Sequence, residues 1–131
     1  MKYFFDIDLD EIKEEHLVGA WTIEDRFVNN NKHADVFLNC INLVLLDNGV
    51  FETLHCDELT GLWTMMREVE LIYNPQVIFF NGEQQMAKAI VTRLFTDNSV
   101  YKLTLYFSTG LELNLRRERD TPKMATQTSD T

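Results

Sequence analysis

Tyr101-Lys102-Leu103-Thr104-Leu105-Tyr106-Phe107, then Ser108-Thr109-Gly110, then Leu111-Glu112-Leu113-Asn114-Leu115-Arg116-Arg117, is the stretch on which the fold turns. Odd positions are apolar or aromatic through Phe107 and leucine from Leu111 to Leu115, whereas the positions between are mostly polar. A period of two is the signature of a strand with one face turned inward, and the Ser-Thr-Gly break between the halves closes a hairpin. If the inward parity continues without a bulge, Arg117 points into the protein and Arg116 toward solvent.

The same grammar extends back through the chain. Segments rich in β-branched and aromatic residues at 19–28, 35–46, 49–56, 61–66, 68–74, 76–81, 86–96, 100–107 and 110–117 alternate with turn residues. Asp47-Asn48-Gly49 and Asn81-Gly82 accept positive φ, Asn74-Pro75 reads as an extended-then-turn step, and Asp97-Asn98 marks another reversal. Upstream, Ile7, Leu9, Ile12 and Leu17 with acids between them predict one short helix over 7–18. Connections this short pair sequential neighbours. About eight or nine such strands hide their edges most completely by closing on themselves, so the expected fold is all-β, an antiparallel up-and-down barrel behind a short N-terminal helix. Within 35–46, Leu38, Val44 and Leu46 fall on the opposite parity from Phe37, Ile41, Leu43 and Leu45. Either the helix covers that outer face or a second subunit does, which leaves a homodimer open.

Composition sets bounds on function. A chain of 131 residues fits one domain, placed at 1–117, and the polar, aromatic-free 118–131 reads as a disordered tail. Lys+Arg 12 against Asp+Glu 21 gives a net charge of −9, which argues against nucleic acid because phosphate binding needs clustered cations. The N-terminal residues turn acidic at Asp6, Asp8, Asp10 and Glu11 with no signal-type apolar core, and no apolar run is long enough to span a bilayer. A cytoplasmic protein without a membrane span is expected.

Gly19-Ala20-Trp21-Thr22 and Gly61-Leu62-Trp63-Thr64 hold both tryptophans at the heads of strand-like segments, but the residues that follow the two copies differ, so duplication is disfavoured. Gly19-Ala20-Trp21 after a short helix, the Asn48-Gly49-Val50-Phe51 hairpin, Gly61-Leu62-Trp63 and the terminal Leu113-Asn114-Leu115-Arg116-Arg117 together resemble the lipocalin-like (calycin) β-barrels, and small bacterial lipocalin-like domains in particular. The resemblance covers about residues 15–118. It implies a structural clasp in which Trp21 crosses the closed end of the barrel with Arg117 against it. Loop motifs of the classical secreted lipocalins do not occur in the sequence.

Cys40 and Cys56 lie symmetrically, each eight residues from Asn48, so a three-residue loop sets them opposite one another within disulfide range. In a reducing compartment they are expected as free thiols. His55-Cys56-Asp57-Glu58 lacks metal-ligand spacing and reads as a polar loop, with His16 and His33 elsewhere, so neither a metal nor a cofactor is expected. Glu24, Asp25 and Arg26, and the pair Glu68 and Glu70, are carboxylate groupings with no accompanying nucleophile, and no catalytic residue is assigned. Arg67 and Arg93 share the parity of apolar neighbours; each faces the lumen unless a bulge turns it out. The leading expectation is non-catalytic binding of a small apolar or amphipathic ligand in the lumen, lined by Trp63, Met65, Phe79, Tyr101, Leu103 and Leu105 with Arg93 as polar anchor. The alternatives are a filled barrel acting as an oligomerisation or protein-interaction module, and a calycin-like isomerase or lyase.

Overall fold

The computed structural model describes residues 4–28, 37–54, 59–68 and 72–118. Nine strands follow in chain order: β1 (Phe4–Asp6), β2 (Gly19–Val28), β3 (Asn42–Leu45), β4 (Val50–Leu54), β5 (Thr60–Glu68), β6 (Ile72–Asn81), β7 (Gln84–Asp97), β8 (Val100–Phe107) and β9 (Leu111–Glu118). Each of β2 to β9 pairs antiparallel with its sequence neighbour, and β2 pairs with β9, so eight strands close into an up-and-down barrel. β1 stands outside that ring and adds to β7 through Phe4↔Asp97 to Asp6↔Phe95.

The turns form where residues tolerant of positive φ stand. Gly49 (φ 87°), Gly82 (67°), Asn98 (61°) and Gly110 (102°) close the β3–β4, β6–β7, β7–β8 and β8–β9 reversals. The β3–β4 register runs from Asn42↔Leu54 to Leu45↔Phe51, the pairing centred on Asn48 that the cysteine spacing requires. Cys40 is buried and disulfide-bonded, against the expectation of a free thiol; Cys56 lies outside the described residues.

Three expected elements differ. The helix over 7–18 is a 3₁₀ turn (Leu9–Glu11) followed by a single α-turn, α1 (Glu14–Leu17), with extended backbone at Ile12 and Lys13 between them. Its apolar residues are spent as a plug: Ile12 and Leu17 are buried in the core. Among its described residues the segment 35–46 contributes only Asn42–Leu45 as strand, because Phe37–Asn39 form a turn whose Phe37 ring drops into the barrel; Leu38 is packed against the core from that turn. Residues 68–74 and 76–81 are not separate strands, since β5 runs to Glu68 and β6 passes through Pro75. Pro75 is tolerated because the ladder to β7 begins only at Gln76↔Ile90, while the Asn74 side-chain amide donates to the Val91 carbonyl at 2.8 Å.

A bulge between Met66 and Glu68 isolates Arg67 from the ladder. Its guanidinium leaves the strand line to donate to the carbonyls of Leu9 (2.9 Å) and Ile12 (2.6 Å), fastening the 3₁₀ plug to β5. These are charge-assisted bonds to a short turn with little other support. Arg67→Met is therefore expected to cost about 1–3 kcal/mol in urea unfolding and to deprotect the amides of Glu11 and Ile12 selectively in hydrogen exchange. Unchanged protection there would show the contact to be incidental.

Candidate functional site

Alternate residues of β5 to β9 converge on the barrel axis. Phe51, Phe79 and Phe107 form a platform, with Phe79 edge-on to Phe51 at 5.1 Å and stacked with Phe107 at 6.1 Å. The Phe37 ring sits against all three at 5.9, 4.8 and 5.4 Å, so a residue from the β2–β3 connection completes the aromatic packing. Of the expected lining, Phe79 is 0% exposed, Leu103 1% and Leu105 0%. Trp63 is buried too and donates its indole N–H to the Leu46 carbonyl at 3.0 Å; Met65 and Tyr101 are half-buried against the core. Among the described residues the buried set holds two polar side chains, Thr53 and Gln76, and no ionisable one.

The end of the barrel where β2 begins and β9 finishes is built around Arg117. Its guanidinium lies 4.8 Å from the Trp21 ring centroid and 4.6 Å from that of Tyr101, and it donates to the His16 carbonyl at 3.0 Å. Trp21, fully buried, donates its own N–H to the Leu17 carbonyl at 2.8 Å. Burial pulls the Arg117 pKa below its ordinary value, which the neighbouring Tyr101 partly opposes. Two aromatic faces and a carbonyl dipole stabilise a guanidinium that has lost much of its water. Gly19 makes the arrangement sterically feasible: it adopts φ 143°, and a Cβ there would collide with Arg117 Cδ and stand 2.8 Å from Nε. Arg116, on the other face, is exposed and 3.9 Å from Glu24.

Arg93 is not in the lumen. A bulge at Thr92 breaks the β7–β8 register between Val91↔Leu105 and Arg93↔Thr104, and the extra residue reverses the parity of everything after it. Arg93 consequently points out, pairs with Asp6 at 2.7 Å and covers the Phe95 ring at 4.1 Å. The hydrogen bond holds Asp6 below the ordinary carboxylate range and raises Arg93. Both side chains are about half exposed, so the pair contributes little stability.

A second bulge, at Glu24 between Ile23↔Leu115 and Asp25↔Asn114, lies three strands further round. Between the two bulges Arg93, Thr104, Asn114 and Asp25 form one registered outer row across β7, β8, β9 and β2. The wall dips there into a groove of about 280 Å³. Thr104 Oγ1 donates to Asn114 Oδ1 (2.9 Å) on its floor, and Lys102 Nζ donates to Glu24 Oε1 (2.8 Å) at its rim. Nothing in the local sequence announces this groove, because a bulge leaves no residue-type signature at Glu24 or Thr92.

Protein families, curated proteins and solved structures offer no match to this chain.

Of the remaining candidates, Glu24 and Asp25 border the groove, whereas Arg26 donates to the Cys40 carbonyl at 2.7 Å. His16 Nδ1 accepts from the Lys13 N–H at 2.8 Å and is committed to the α1 turn. His33, His55, Asp57, Glu58, Glu70 and the tail at 119–131 lie outside the described residues, as does the side chain of Glu68. Asp8, Asp10 and Glu11 bring three exposed carboxylates within 4.8 Å of one another on the 3₁₀ turn, where solvent screens them. Among the described residues no helix is long and apolar enough to cross a membrane.

Proposed function

We propose that this protein is a filled, lipocalin-like barrel that works without catalysis as a self-association or protein-interaction module, its outer wall being the working surface. The observation that carries the reading is the burial of interior side chains: Phe37, Phe79 and Leu105 are each 0% exposed, as a barrel filled by its own side chains requires. The wall supplies the complementary feature. Met66↔Gln76↔Ile90↔Tyr106↔Glu112↔Phe27 is one registered row across six strands, buried at Gln76 and open to solvent on either side of it. Phe27 (51%), Met66 (47%) and Tyr106 (37%) within it are exposed. Large apolar and aromatic groups in a row, with a charge between two of them, have the composition of an association surface. The lipocalin-like assignment is supported by the closed eight-strand antiparallel barrel and by Arg117 lying over Trp21.

Two measurements on the full chain test this. Native mass spectrometry with palmitate or indole present is expected to show no retained adduct. Sedimentation velocity in physiological salt is expected to show concentration-dependent association, weakened by Phe27→Ser with Tyr106→Ser. A ligand held in the lumen, or a monomer at every concentration, overturns the reading.

A further inference from the structure

We infer that the groove between the two bulges is a binding site for a small zwitterion of amino-acid or dipeptide size, one carrying a free ammonium and a free carboxylate. The site is independent of the apolar row and of whether the protein self-associates.

Three features of the groove select this chemistry. The first is size: about 280 Å³ falls just under the range of pockets that bury drug-sized ligands, which suits a compact metabolite. The second is the distribution of charge. Arg93 and Lys102 stand on the β7 and β8 side, and Glu24 and Asp25 on the β2 side. A ligand of one sign would meet a like charge on one wall. A zwitterion laid along the row meets an opposite charge at both ends, with its carboxylate toward Lys102 and its ammonium toward Asp25.

The third feature is unused hydrogen-bonding capacity. Lys102 spends one of its three donors on Glu24, and the Thr104 hydroxyl engages only the amide oxygen of Asn114, so the Asn114 Nδ2 donors are left for a ligand carbonyl. The Asp25 carboxylate forms no ion pair among the described residues. The floor is a paired β8–β9 ladder, so it is pre-organised, and the bulges that bend the sheet around it are fixed in register on both flanks. Bulges commonly re-aim side chains in this way beside binding sites.

Amide-resolved NMR titration of the full chain with glycylglycine, N-acetyl-glycylglycine and glycylglycine amide tests the inference. Free glycylglycine is expected to give saturable shifts at Asp25, Lys102, Thr104 and Asn114. Blocking either end should weaken binding by about twofold to fivefold, the size of one exposed ion pair. Asp25→Asn, a substitution at an exposed position whose spectrum reports its own folding, should make free and acetylated peptide bind alike while keeping the preference for a free carboxylate. The assignment is overturned by the absence of saturable shifts, by equal binding of the three peptides, or by an Asp25→Asn protein that still prefers the free amine.

Discussion

Gly61→Ala is expected to be the most damaging single-methyl change in the domain, lowering stability by about 3–5 kcal/mol and the unfolding midpoint by roughly 10–20 °C. A Cβ at Gly61 would collide with the Phe80 carbonyl oxygen and stand 3.0 Å from Phe51 Cε2 and 3.3 Å from the Phe80 carbonyl carbon. The obstacle is backbone. Phe80 is paired with Leu62 on one side and Gln85 on the other, so its backbone is held between two strands and its carbonyl cannot retreat without disturbing that pairing. Gly82 provides the comparison: it has a positive φ of 67° but nothing within 4 Å of its added Cβ. Gly82→Ala should therefore cost only the conformational term, about 1–2 kcal/mol. Thermal unfolding of the two variants side by side separates collision from backbone preference, and equal losses would refute the steric account.

The second large effect joins two residues far apart in sequence. Gly19→Ala is expected to cost about 2–4 kcal/mol, because the new methyl would occupy the space of the Arg117 side chain and φ 143° disfavours any Cβ. Arg117→Ala is expected to cost about 2–3 kcal/mol through the lost carbonyl bond and the two aromatic contacts. Since the Gly19 penalty is mostly a collision with Arg117, it should shrink once the arginine is gone. The double variant should fall short of the summed losses by at least about 1 kcal/mol in urea unfolding. Strict additivity would mean that the glycine serves its own backbone alone.

The glycines of the two Gly-x-Trp-Thr copies thus look alike in sequence for different reasons. Gly19 makes room for a side chain, Gly61 for a carbonyl. Both tryptophans find a backbone acceptor for the indole N–H, Leu17 for Trp21 and Leu46 for Trp63, which is why each can be buried.

What could be read from sequence was set by local chemistry. The last hairpin was legible because leucine alternates with polar residues and Gly110 supplies the positive φ between them. Closure of the barrel followed from short connections. Parity failed at Arg93 because a single unpaired residue, Thr92, reverses the face of a strand, and such a residue needs no special side chain. Phe37 was misplaced in a strand for a related reason: an apolar residue says that it will be buried, not which backbone will carry it there. Pro75 looked like a terminator but falls in a stretch of β6 that lacks ladder partners. The groove was invisible because its rim is assembled from β2, β7, β8 and β9.

The seam between β2 and β9 also orders events during synthesis. The bond from Arg117 to the His16 carbonyl spans 101 positions, and every β2–β9 pair likewise waits for the final strand. A nascent chain that ends before Leu111 can build the meander from β2 to β8 but cannot close it. That intermediate exposes two hydrogen-bonding edges, on β2 and β8, each capable of recruiting a neighbouring chain.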